Sequence, residues 1–271
     1  MIIDFHTHIF PPDVREGREE YLRRDPTFAE MYTSAKAKIA TAEDLLRSMD
    51  EAGVDVSVAL GFAWRDHEDC VRHNDYLLEA AASSGGRIVA FCTLNPAAGG
   101  AAAAEVERCA RGGARGLGEL RPESQGWDLN GEPGEHLAAL ARQYDLILLF
   151  HVTEPVGHDY PGKQGLRLDS FYRFVVAHPD VKVVGAHLGG GLPLREPDPP
   201  AYADTAALRF LYEPAVLADV ASTAWAEWLL FGSDFPLVSQ AAALTDVRGA
   251  GLEHSARDRV LGETARRLLG L

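Results

Sequence analysis

Eight short apolar segments recur along the chain, each followed by a stretch with helical patterning. They span residues 2–5, 54–60, 88–94, 114–120, 146–151, 181–187, 201–205 and 228–232. Most lack polar/apolar alternation, as expected of strands buried on both faces of a parallel sheet. Helices are predicted between them. Thr41 with Asp44 three residues on has the form of a capping box, and Gly53 suits the helix stop. Residues 69–82, 101–111, 135–144, 170–177 and 214–226 read as further crossovers, with Pro214 fitting a helix start. Eight strands and seven or eight helices in 271 residues match a (β/α)₈ TIM barrel. An open doubly wound sheet is the alternative. It would carry a glycine-rich phosphate turn after its first strand, where this chain has His6-Thr7-His8.

One barrel domain over residues 1–271 is therefore expected, with two insertions. Residues 9–40 are long for a strand–helix connection and carry Phe28, Met31 and Tyr32 at helical spacing. They predict a helix covering the barrel rim, with substrate contact as the other reading. Residues 189–200 hold four Pro and three Gly and are expected to be irregular. A formal charge of −14 disfavours nucleic acid and anionic membrane as partners. No apolar run approaches the roughly 20 residues of a spanning helix. Asp4 and His6 interrupt the first apolar stretch, so no secretory signal is read there. Cys70, Cys92 and Cys109 form an odd set without paired spacing, which fits a reducing, cytoplasmic setting.

Polar residues gather where these strands end. Residues two apart on a strand face the same way, so His6 and His8 can share one metal ion. Glu119 ends the fourth segment, His151 the fifth, His187 the sixth and Asp234 the eighth. In a barrel these ends form one rim, where the active site lies. Glu119 reads as an optional ligand for a second ion or as an ion-pair partner of Arg121. Arg121 also suits a substrate carboxylate, which a guanidinium binds bidentately. Trp64 is expected either to line the pocket or simply to pack. His158, after the fifth strand, is the further histidine best placed to reach the site. His67, His73, His136, His178 and His254 read as surface residues.

Asp4-Phe5-His6-Thr7-His8, His151, His187 and Gly232-Ser233-Asp234-Phe235-Pro236 together resemble the metal-binding signature of the amidohydrolase superfamily. The likeness is greatest to the amidohydrolase-related branch that includes aminocarboxymuconate-semialdehyde decarboxylase and related acid decarboxylases. It runs from residue 1 to Arg266-Arg267-Leu268-Leu269 and includes Met49-Asp50-Glu51-Ala52-Gly53-Val54-Asp55. The resemblance implies a metal-dependent (β/α)₈ barrel acting on a small molecule. His6, His8, His151 and Asp234 would ligate a divalent metal, with Glu119 on a second ion where two are held. Zn²⁺ suits three imidazoles and a carboxylate, with Mn²⁺ or another transition ion next. His187 would polarise a carbonyl, and Asp234 would shuttle a proton.

The leading expectation is a hydrolase in which metal-bound hydroxide attacks an amide, ester or lactone. The alternative is a non-oxidative decarboxylase, a lyase, of a small carboxylic acid. The shortness of the chain tilts toward hydrolase. A homodimer is kept open as the assembly state.

Overall fold

The computed structural model describes residues 1–153, 159–163, 165–191, 201–213 and 215–271. Eight parallel strands form one sheet in chain order. They are β1 (Ile3–His8), β2 (Val56–Leu60), β3 (Ile88–Cys92), β4 (Gly116–Leu120), β5 (Ile147–Phe150), β6 (Val183–Gly185), β7 (Tyr202–Asp204) and β8 (Leu229–Leu230). The last edge turns back to the first. Phe5 donates its N–H to the Phe231 carbonyl at 2.7 Å, and Asp234 donates to the His6 carbonyl at 2.9 Å. The result is the expected (β/α)₈ barrel, nearly closed.

Helices lie between the strands, and their ends follow local chemistry. Ala42–Ala52 starts where Asp44 Oδ2 accepts from the Thr41 N–H at 3.0 Å and ends at Gly53, with φ of 72°. Only glycine enters that left-handed region without cost. The region expected as one helix over residues 214–226 is instead Val216–Ala221 followed by a 3₁₀ turn, Ala224–Glu227. Pro214 lies outside the described residues.

Two layers of apolar packing hold the sites. The barrel interior contains Ile3, Phe5, Val58, Leu60, Phe91, Ile147, Leu149, Val184 and Leu230, joined by Leu268 and Leu269 of the C-terminal helix. Larger clusters fill the space between sheet and helices. Strand β4 reads Gly-Leu-Gly for a steric reason. A Cβ on Gly116 would lie 2.5 Å from the Ile147 carbonyl oxygen and from the Phe91 ring. On Gly118 it would lie 2.8 Å from Leu149 Cβ.

Residues 9–40 form three short helices, Pro12–Glu16, Arg18–Arg24 and Pro26–Tyr32. Their aromatic side chains build a rim cluster of Phe10, Tyr21, Phe28 and Tyr32 with Phe62 and Trp64. Phe28 stacks on Tyr32 and on Trp64, with centroids 4.6 and 5.3 Å apart. The insertion both covers the rim and lines the cavity below, through Met31 and Tyr32.

Two histidines expected at the surface are buried. His73 is wedged beneath the rim cluster. It receives the Trp64 indole N–H on Nδ1 at 3.0 Å and reaches the Ile9 carbonyl from Nε2 at 2.7 Å. His178 packs on Phe174 at 4.6 Å and accepts from Arg142 at 3.0 Å. Helical spacing located both residues but not the neighbours that cover them.

Candidate active site

His6 and His8 leave the end of β1 on the same side, as period-2 geometry requires. Their Nε2 atoms stand 3.1 Å apart. Asp234 Oδ1 lies 3.8 Å from His6 Nε2 and 3.5 Å from His8 Nε2. Glu119, at the end of β4, lies 3.9 Å from His6 and 3.7 Å from His8. A second set forms on the other side of Glu119. Its Oε1 is 3.0 Å from His151 Nδ1 and 3.5 Å from His187 Nε2, and those two nitrogens are 3.2 Å apart. The structure therefore groups His151 with His187 and Glu119, whereas the resemblance implies a place beside His6 and His8. Glu119 belongs to both triads. Its carboxylate pairs with His151, not with the adjacent Arg121.

These distances test whether the residues suit a metal. Donors about 2.1 Å from a shared ion lie roughly 3.0–3.4 Å apart in octahedral or tetrahedral geometry. The observed edges begin in that range. In each group the imidazole nitrogens and carboxylate oxygens lie within 4.8 Å of one another, a spacing that a divalent ion would fit. The donors, all nitrogen and carboxylate oxygen, fit Zn²⁺ or Mn²⁺.

Asp204, at the end of β7, was missed in the sequence. Its Oδ2 accepts the Nδ1 proton of His6 at 2.7 Å, and Oδ1 accepts from the His187 and Ala206 N–H groups at 2.9 and 3.0 Å. The signal available was an Asp closing an apolar strand, as His151 and His187 do. Asp4 also escaped assignment. Fully buried, it accepts from the Ser233 N–H and hydroxyl at 2.9 and 2.6 Å and from Gln240 at 2.8 Å. These bonds tie β1 to the segment carrying Asp234.

His187 sits in a left-handed run. His187, Leu188, Gly189 and Gly190 have φ of 59°, 53°, 58° and 70°. Non-glycine residues there cost about 1–2 kcal/mol each. The surroundings hold His187 in place. Besides its N–H bond to Asp204, its carbonyl accepts from Tyr212 at 2.8 Å and its Nδ1 donates to the Ala206 carbonyl at 3.1 Å. Nε2 is thereby left to face Glu119.

Charge in the site is shifted strongly. Burial opposes protonation of His6, but Asp204, Glu119 and Asp234 outweigh it and carry its pKa up to about 10. Burial and the Arg121 guanidinium push His151 down to about 3. Burial opposes ionisation of Glu119, but hydrogen bonds from His151 and His187 and the charge on His6 hold its carboxyl well below the usual carboxylate range.

A cavity of about 390 Å³ opens over these residues. Tyr32, Phe62, Phe210 and Leu237 are among its apolar walls, while His8, Glu119, His151, His187, Asp234 and Arg121 bring polar atoms to it. Arg121 is 2% exposed and donates to the Gly162 carbonyl and, at 3.3 Å, to Met31 Sδ. Trp64 does not line this cavity. It packs behind Phe62, centroids 4.6 Å apart, so packing is its role here. His158 lies outside the described residues.

Eight parallel strands with histidine and carboxylate groups at one rim make a (β/α)₈ barrel with residues that could hold a metal ion. The chain belongs to the amidohydrolase family, whose profile matches residues 3–271. Among solved structures it resembles 5-carboxyvanillate decarboxylase from Sphingomonas paucimobilis, with 18% identity, TM-score 0.80, and coverage of 100% of this chain and 99% of that one. It also resembles 2,6-dihydroxybenzoate decarboxylase from Rhizobium, at 18% identity, TM-score 0.74, and 99% and 98% coverage. A third is dihydroxybenzoic acid decarboxylase from Polaromonas sp. JS666, with bound manganese and 2-nitroresorcinol, at 17% identity, TM-score 0.76, and 100% and 97% coverage. No curated protein matches the chain. No described helix is long and apolar enough to cross a membrane.

Proposed function

We propose that this chain is a metal-dependent, non-oxidative decarboxylase of a small, flat carboxylic acid. This reverses the order that chain length suggested from sequence. The observation that carries it is the cavity, apolar on most walls, with buried Arg121 among the few polar groups beside the histidine–carboxylate donors. The solved structures it resembles, decarboxylases of aromatic acids, support the same reading.

His6, His8 and Asp234 would hold a divalent ion, Mn²⁺ or Zn²⁺, with Glu119 between it and the His151–His187 pair. When bound, that ion supplies a Lewis acid for the substrate's oxygens. Arg121 brings its positive charge to the acid group from the cavity wall. Tyr32 and Phe62 confine a flat ring and exclude water from it. As the carbon–carbon bond breaks, CO₂ leaves and its electron pair stays on the ring carbon. That carbon then takes one proton, for which Asp234 and His187 are the donors at hand. Atoms and charge balance with no other reactant.

A second reading, hydrolysis of an ester, amide or lactone, is favoured by one feature. Glu119 lies between two donor triads, as a carboxylate bridging two ions would. One experiment separates the two. Protein loaded with Mn²⁺ or Zn²⁺ is offered hydroxylated benzoates, esters and lactones in D₂O. Decarboxylation releases CO₂ and leaves one deuterium on product carbon. Turnover of esters or lactones, with no CO₂ from any acid, overturns the first reading in favour of the second.

A further inference from the structure

Fully buried Asp204 touches both donor triads, though it is in neither. Its two oxygens do different work. Oδ2 takes the Nδ1 proton of His6 and so leaves Nε2 as the nitrogen of that ring that faces His8. Oδ1 is saturated by two backbone donors, from His187 and Ala206. Ala206 in turn accepts Nδ1–H of His187 through its carbonyl.

We propose that Asp204 is the positioning residue that makes His6 an Nε2 donor, and that this control is selective for the His6–His8 lobe. The inference rests on the metal reading above. Its consequence follows from the hydrogen-bond pattern. In Asp204→Asn the amide oxygen must take the Oδ1 place, because two N–H groups point at it. The amide nitrogen must then face His6. It donates to Nδ1, and His6 is forced to carry its proton on Nε2, aimed at His8 where an ion would sit. The bonds to His187 and Ala206 survive, so the other lobe keeps its geometry. Outer partners of metal-binding histidines commonly set ligand tautomers in this way.

Nitrogen-15 spectra of the histidine side chains test this on metal-free protein, with His6 assigned from a His6→Gln control. Wild-type His6 is expected to carry a proton on Nδ1, and Asp204→Asn to lack it. Calorimetric titration with Mn²⁺ then reads the His6–His8 lobe. Asp204→Asn should weaken the ion that His8→Ala removes by about 10–100-fold. The nitrogen-15 signals of His151 and His187 should be unchanged. A protonated Nδ1 on His6 in the variant overturns the proposal, as does displacement of the His151 and His187 signals along with that of His6, which would make Asp204 merely structural. Should the variant fail to fold, a wild-type His6 with no proton on Nδ1 overturns it alone. Wild-type protein that takes up no Mn²⁺ defeats the metal reading instead, and the His6 signal still decides the role of Asp204.

Discussion

Asp234 and His73 show how a single side chain's surroundings set its task. Asp234, with φ of 67°, is held at the cavity beside His8 by its own N–H bond to the His6 carbonyl. Asp234→Asn keeps the shape and an oxygen donor but removes the group that can take up and give back a proton. It is expected to lower kcat by about 10²-fold or more while KM changes little, measured by steady-state kinetics on protein that elemental analysis shows to be metal-loaded. Near-normal turnover with metal retained would pass the proton role to His187. His73 makes the pH prediction. Its Nδ1 accepts from Trp64 and Phe62 N–H groups and its Nε2–H donates to Ile9, so no acceptor awaits a second proton. Burial holds its pKa down at about 4. The unfolded chain takes that proton near pH 6.5. Its stabilising effect is thus complete above about pH 6.5 and is lost as pH falls toward 4, by about 3 kcal/mol in all. Urea midpoints at pH 7, 5.5 and 4 should fall more steeply for wild type than for His73→Gln. Parallel slopes would show that His73 titrates normally in the fold.

At the scale of elements, strand β4 is the tightest fit. Gly116→Ala would press a methyl group against both Phe91 and the β5 backbone. Overpacking of this kind costs about 1–3 kcal/mol, so its thermal midpoint should fall by several degrees. An unchanged midpoint would mean that β4 and β5 can separate without loss. The rim insertion was legible as a helix from Phe28, Met31 and Tyr32, because i, i+3 and i+4 spacing is a local property. Its division into three helices was not. That follows from Pro12 and Pro26, which open two of them, and from the Asp25 side chain accepting the N–H groups of Thr27 and Phe28 at 2.9 Å. Trp64 was ambiguous for a related reason. Its position in the chain put it near the pocket, but the Phe62 ring in front of it decided which of them meets the cavity.

For the whole molecule, the large apolar interior implies a fold that stands without a metal ion. Chelated protein should keep its circular dichroism and lose activity, and His6→Ala with His8→Ala should strip the ion. Loss of structure along with the metal would contradict this. The eight-fold alternation and the residues ending each strand were readable from the chain alone. Strand burial and the period of two are local, and parallel strands bring all their ends to one rim. His6, His8, Glu119, His151, His187 and Asp234 all stand at such strand ends, so their gathering follows from the order of the chain. Which donors meet was another matter. His6 bonds Asp204 across 198 residues of sequence, and His151 turns to His187 on the neighbouring strand and to Glu119. Those pairings, and the burial of His73 and His178, come from distances across the barrel. No local pattern encodes them, because each depends on how the closed sheet sets side chains from distant strands against one another.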